Sequence, residues 1–94
     1  MKAKIHNYSD WINETEPNKL KENYTLLLKQ SGFDVLDLVE KHFDPFGYTA
    51  LFLLGESHLA IHTFPEEEQT YVELSSCVQK PFHKFINKTS NGTK

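Results

Sequence analysis

Leu20, Tyr24, Leu27 and Leu28 recur at i, i+4, i+7 and i+8 in an otherwise polar stretch, the spacing of one apolar stripe along a helix. Thr15 ahead of Pro17 reads as the N-cap with proline in the first turn, and Ser31-Gly32 stops the helix, glycine supplying the left-handed position beyond the last turn. Either side of this helix the pattern is that of strands. Residues 4–11 read as a first strand, and residues 33–43, rich in Val, Leu and Phe, as a second. Phe43-Asp44-Pro45-Phe46-Gly47 is a turn by its proline and glycine. Residues 49–54 are almost wholly apolar, which predicts a strand buried on both faces or at the sheet centre. Residues 57–64 and 70–77 form two more strands joined by the charged turn 65–69, and Lys80-Pro81 opens a short helix through Phe82, Phe85 and Ile86. Residues 87–94 are Ser, Thr, Asn, Gly and Lys only and are expected to be a disordered tail. The order strand, helix, four strands, helix predicts an α+β fold, a two-layer sandwich with a mostly antiparallel sheet and helices packed on one face.

Length and charge narrow the reading. At 94 residues the chain is expected to be one domain, 1–94, and a core that small gains from association with a second copy. The formal charge is −3, basic residues form no stripe and arginine is absent, so neither nucleic acid nor an anionic membrane surface is an expected partner. The longest apolar run is strand-length, no signal peptide precedes it, and the single cysteine, Cys77, suits a reducing compartment, so the expected location is cytoplasmic.

Three side chains could carry chemistry. Ser57 and His62 are five apart and would point to opposite faces of one regular strand, although a turn or bulge near Gly55 could re-aim the serine. A hairpin centred on Glu67 would make Ser57 and Cys77 cross-strand neighbours, which clusters all three at one end of the hairpin. By residue type alone, a surface serine, a packing histidine and a small buried thiol are the commoner descriptions. His58 and His62 would share a metal ion on a helix, but on a strand they lie roughly 13 Å apart, so no metal is expected. Glu66-Glu67-Glu68, taken alone, is a solvated turn.

The motif as a whole is more specific. Glu56-Ser57-His58-Leu59-Ala60-Ile61-His62-Thr63-Phe64-Pro65-Glu66 closely resembles the processing site of prokaryotic S-adenosylmethionine decarboxylases, which reads Glu-Ser-His-Leu-(Ser/Thr/Ala)-Ile-His-Thr-Trp-Pro-Glu. Phe43-Asp44-Pro45-Phe46-Gly47-Tyr48-Thr49 resembles that family's Phe-x-Pro-x-Gly-x-Ser segment, and Cys77 stands where the family has its catalytic cysteine. The resemblance implies a chain that makes its own cofactor. The Ser57 hydroxyl attacks the Glu56 carbonyl, an N→O acyl shift gives an ester, and β-elimination opens it into a β chain of 1–56 and an α chain of 57–94, whose new N-terminus is hydrolysed with loss of ammonia to a pyruvoyl group generated from Ser57. His62 matches the base of the elimination, a step suited to neutral imidazole. The pyruvoyl ketone forms a Schiff base with the substrate amine and serves as electron sink. Cys77 matches the acid that reprotonates the substrate carbon, Glu66 the group that binds the ribose hydroxyls, and Thr49 a serine that assists processing. The family also implies a homodimer of processed αβ units acting in polyamine biosynthesis.

Thr49 keeps the hydroxyl but is β-branched, Phe64 replaces Trp, Val78 replaces Gly after the cysteine, and residues 67–73 depart from the family pattern. These changes leave the reacting positions and alter their surroundings. Two alternatives follow: a pyruvoyl-dependent ornithine or arginine decarboxylase whose substrate cation meets Glu66–Glu68, and a non-catalytic, unprocessed homologue acting as a dimerisation or regulatory module.

Overall fold

The computed structural model describes residues 4–90. The elements in chain order are β1 (His6–Ile12), α1 (Pro17–Ser31), β2 (Val35–His42), β3 (Tyr48–Leu54), β4 (Ser57–Phe64), β5 (Gln69–Ser76) and α2 (Gln79–Ser90), with a single 3₁₀ turn at Pro65–Glu67 between β4 and β5. The five strands form one antiparallel sheet in the order β1-β5-β4-β3-β2, so β1 reaches back to close the edge that the β2–β5 meander leaves open. The α+β two-layer architecture predicted from the pattern is the one observed.

Helix α1 starts at Glu16 rather than Thr15. The Glu16 carboxylate accepts the Lys19 N–H at 2.6 Å, and Pro17 follows at the first helical position. Gly32 closes the helix at φ 104°, a conformation that suits glycine because it has no Cβ. Leu20 and Leu28 from α1, and Phe82 and Phe85 from α2, meet the inward side chains of the sheet: Tyr48, Ala50, Phe52 and Leu54 of β3, Leu59 and Ile61 of β4, and Val72 and Leu74 of β5. Both helices therefore cover the same face.

Two expectations change. Strand β3 is not buried on both faces, because nothing among the described residues covers the far side of the sheet: its residues alternate, and Leu51 and Leu53 are 45% and 53% exposed. Residues 87–90 are not a tail but the last turn of α2, which Phe85, fully buried, anchors to the core; residues 91–94 of the expected tail lie outside the described residues.

The Tyr48 hydroxyl donates to Glu40 Oε1 at 2.7 Å, joining β3 to the edge strand. That bond, together with the Lys21 ammonium 3.5 Å from the other oxygen, outweighs desolvation and holds the Glu40 carboxyl below its ordinary range. A depressed carboxyl contributes stability that is complete above its unfolded pKa and lost as pH falls through the folded one. Tyr48→Phe is expected to cost on the order of 1 kcal/mol at pH 7 and to flatten the loss of melting temperature between pH 6 and pH 3. Identical acid limbs in the two proteins would show that the pair contributes nothing.

Candidate active site

The β3–β4 hairpin turns through only Gly55 and Glu56, closed by the pair Leu54↔Ser57. The conformational demand falls on Glu56, at φ 56°, and not on Gly55, whose added Cβ would meet open space. A non-glycine residue in this left-handed region is held there at a cost on the order of 1 kcal/mol. The strained residue is the one whose carbonyl precedes Ser57.

Three contacts surround that peptide bond. The Ser57 hydroxyl donates to Ser76 Oγ at 2.7 Å, and both side chains are buried. The Ser76 oxygen also accepts the Val78 N–H at 2.9 Å, and its hydroxyl donates to the Val78 carbonyl at 3.3 Å. Beyond the last ladder pair, the Cys77 N–H and Sγ–H both donate to the Glu56 carbonyl oxygen, at 3.5 and 3.2 Å. Two donors on one carbonyl oxygen stabilise the negative charge that forms there when the carbon is attacked.

The residue opposite Ser57 is thus Ser76, not Cys77, because the ladder pairs Phe64 with Gln69 and runs without a slip to Ser57↔Ser76. Cys77 still reaches the site, at the carbonyl rather than at the hydroxyl. Neither β3–β4 nor β4–β5 contains a bulge, so Ser57 and His62 keep opposite faces. Five residues of strand separate them by roughly 16 Å. The expected cluster of Ser57, His62 and Cys77 does not form within one chain.

His62 lies on the uncovered face, paired across the ladder with Thr49. Thr49 Oγ1 is 3.0 Å from His62 Nδ1. When Nδ1 carries the proton and donates to Thr49, Nε2 is left as the free base. The threonine thus keeps a hydroxyl within hydrogen-bond distance of the histidine. Tyr71 sits opposite His62 on β5, and Trp11 opposite Tyr71 on β1. The Trp11 ring lies 5.2 Å from Tyr71 and 5.7 Å from Phe64, an aromatic surface beside the histidine. Glu66 stands exposed in the 3₁₀ turn at that same end of the sheet. Ser76 and the aromatic group were missed in the sequence, since both depend on register; alternation along β1 and β5 was the available signal. Among the described residues no group of three or more His, Cys, Asp or Glu side chains could hold a metal ion.

A family model described as S-adenosylmethionine decarboxylase matches residues 8–91. The chain belongs to this family. Among curated S-adenosylmethionine decarboxylase proenzymes, one from Prochlorococcus marinus is 41% identical over 58 residues, which is 62% of this chain and 46% of the relative. One from Brevibacillus brevis is 38% identical over 68 residues, 72% of this chain and 50% of the relative, and a Bacillus anthracis proenzyme 2 is 49% identical over 47 residues, 38% of its own length. The chain thus spans about half or less of the curated relatives it matches. The crystal structure of the adenosylmethionine decarboxylase from Aquifex aeolicus is similar in fold, with TM-score 0.72 and 20% identity, over 88% of this chain and 73% of that one.

Strain at Glu56 is measurable in a Ser57→Ala background, where no hydroxyl can attack. Gly55→Ala is expected to leave stability unchanged or raise it by up to about 1 kcal/mol, since the unfolded chain loses freedom and no strain is added. Glu56→Gly is expected to do no worse than neutral, relief of strain offsetting the added flexibility. Chemical denaturation reads both, and a loss above about 1 kcal/mol in either would contradict this account of the turn.

Proposed function

We propose that this chain is a self-processing, pyruvoyl-dependent decarboxylase of S-adenosylmethionine, cleaved between Glu56 and Ser57 and acting as a homodimer in polyamine biosynthesis. The observation that carries the reading is the Glu56 carbonyl, held by two Cys77 donors beside a serine whose hydroxyl is already engaged and buried.

The residues fit a group made from Ser57. Attack of Ser57 Oγ on the Glu56 carbonyl carbon puts charge on the oxygen that Cys77 binds, and collapse of that adduct leaves an ester. A base must then take the Ser57 α-proton so that the ester opens, releasing Glu56 as a carboxylate. His62 is suited to this by chemistry but sits roughly 16 Å along its own strand from Ser57. A second copy removes the difficulty. Val39, Leu51, Leu53 and Trp11 put four large apolar side chains on the uncovered face, each at least 45% exposed, and these favour burial against another surface. A two-fold axis crossing the strands would set the Ser57 end of one copy over the His62 end of the other, and each site would combine Ser57 and Cys77 of one chain with Thr49 and His62 of its partner.

The pyruvoyl ketone, once present, supplies the electron sink for loss of the substrate carboxylate. Beside it, the Cys77 thiol would return a proton to the substrate carbon. Trp11, Tyr71 and Phe64 offer a stacking surface for a nucleobase, and the Glu66 carboxylate can accept hydrogen bonds from a ribose diol. These aromatics favour the nucleoside substrate over ornithine or arginine. Among the described residues no helix is long and apolar enough to cross a membrane, and the lone thiol suits the reducing conditions of the cytoplasm.

Carbon dioxide release is expected from carboxyl-labelled S-adenosylmethionine and not from ornithine or arginine; release only from the amino acids would transfer the reading to the basic-substrate enzyme, and release from none would remove the decarboxylase assignment. Sharing of the site between copies has its own test. Co-expressing Ser57→Ala and His62→Ala chains is expected to restore cleavage of the His62→Ala chain, whose Ser57 meets a partner's intact His62. If that chain stays whole in mixed dimers, the site is not shared.

A further inference from the structure

The acyl shift needs a group to receive the Ser57 hydroxyl proton, and neither His62 nor Cys77 is positioned to take it. His62 lies on the other face, and Cys77 points its donors at the carbonyl. Both Ser57 and Ser76 are buried, 8% and 1% exposed, so bulk water is a poor acceptor.

The register across the sheet names a different acceptor. Ser57 pairs with Ser76 on β5, and Ser76 pairs in turn with His6 on β1. The three residues form one row across β4, β5 and β1, on the helix-covered face. His6 points to that side, its ring 5.2 Å from Phe82 and 5.9 Å from His83 of α2. Side chains directly opposite in an antiparallel ladder have Cβ atoms roughly 4.5–5.5 Å apart, within reach of an imidazole and a hydroxyl. On the other side of Ser57 the row continues with Leu54, which can take no proton. His6 carries the one basic nitrogen in the row.

We propose that Ser76 and His6 form a hydroxyl–imidazole relay that accepts the Ser57 proton during self-cleavage. The inference rests on the self-processing reading. In the step, the bond from Ser57 Oγ to the Glu56 carbonyl carbon forms while the Oγ proton passes to Ser76, and the Ser76 proton passes to a ring nitrogen of His6. The hydroxyl of Ser76 turns to the imidazole from its long, 3.3 Å contact with the Val78 carbonyl, while the Val78 N–H keeps its oxygen in place. The Glu56–Ser57 C–N bond then breaks and the freed nitrogen takes up one proton, so the ester forms with no net gain or loss. Ser76 touches the reacting hydroxyl; His6 acts through it.

The experiment follows freshly made full-length precursor by intact mass, with and without hydroxylamine, which cuts a backbone ester but not an amide. Ser76→Ala and His6→Ala are expected to slow cleavage about 100-fold, the scale of a lost general base. Both should yield no hydroxylamine fragments, because the block precedes the ester, whereas His62→Ala should accumulate ester that hydroxylamine cuts. Ser76→Thr is expected to cleave within a few-fold of wild type, and added imidazole to restore part of the rate of His6→Ala. If His6→Ala does not fold, by its melting curve, His6→Gln keeps packing area against Phe82 without a base and takes its place. A folded His6 variant that cleaves at the wild-type rate, that builds up ester, or that imidazole leaves unchanged overturns the relay. A wild-type chain that never breaks would instead overturn the self-processing reading on which the relay stands.

Discussion

The β4–β5 ladder runs from Phe64↔Gln69 to Ser57↔Ser76 without a bulge, and the meeting of Ser57, Ser76 and Cys77 depends on that register. Side chains alternate faces with a period of two, so a slip of one residue would put Cys77 opposite Ser57 and send Ser76 to the far side. In the observed register the serine hydroxyls meet under the helices, while Cys77, just past the last pair, bends its N–H and thiol onto the Glu56 carbonyl. The two-residue turn at Gly55–Glu56 makes that possible, by presenting the carbonyl at the end of the sheet from a residue in a left-handed conformation. The Ser57 hydroxyl, the Glu56 carbonyl and its two donors thus come from adjacent backbone segments and need no distant loop.

The same alternation puts Ser57 and His62 on opposite faces of one sheet. Helices α1 and α2 cover a single face, and the opposite face carries Thr49 and His62 among exposed leucines and aromatics. A sheet this small, with apolar residues on both sides, gains from burying the second side against another copy. Under the proposed pairing, stability and chemistry would draw on one contact: the surface that needs covering is the surface that displays the base.

Much of this was legible in the residues. The 57–64 strand, the turn after it and Gly32 as helix stop all follow from pattern and motif. The motif could not show which residues meet. Pairing of Ser57 with Ser76 is decided by the number of residues that the 3₁₀ turn at Pro65–Glu67 takes up, and composition does not report that number. The apolar run of β3 suggests a strand buried on both faces or at the sheet centre, because an exposed leucine such as Leu51 or Leu53 looks, in one sequence, like a leucine in the core. The polar residues 87–90 suggested a loose end, yet Phe82, Phe85 and Ile86 pin the helix from its first half and carry its last turn along.

The central claim is that the bond between Glu56 and Ser57 breaks by the chain's own chemistry. Intact-mass measurement of the purified protein reads this directly. The account predicts two fragments, 1–56 with a free carboxylate at Glu56 and 57–94 with a pyruvoyl group in place of Ser57, and a single whole chain for Ser57→Ala. A wild-type protein that remains one unbroken chain would contradict it.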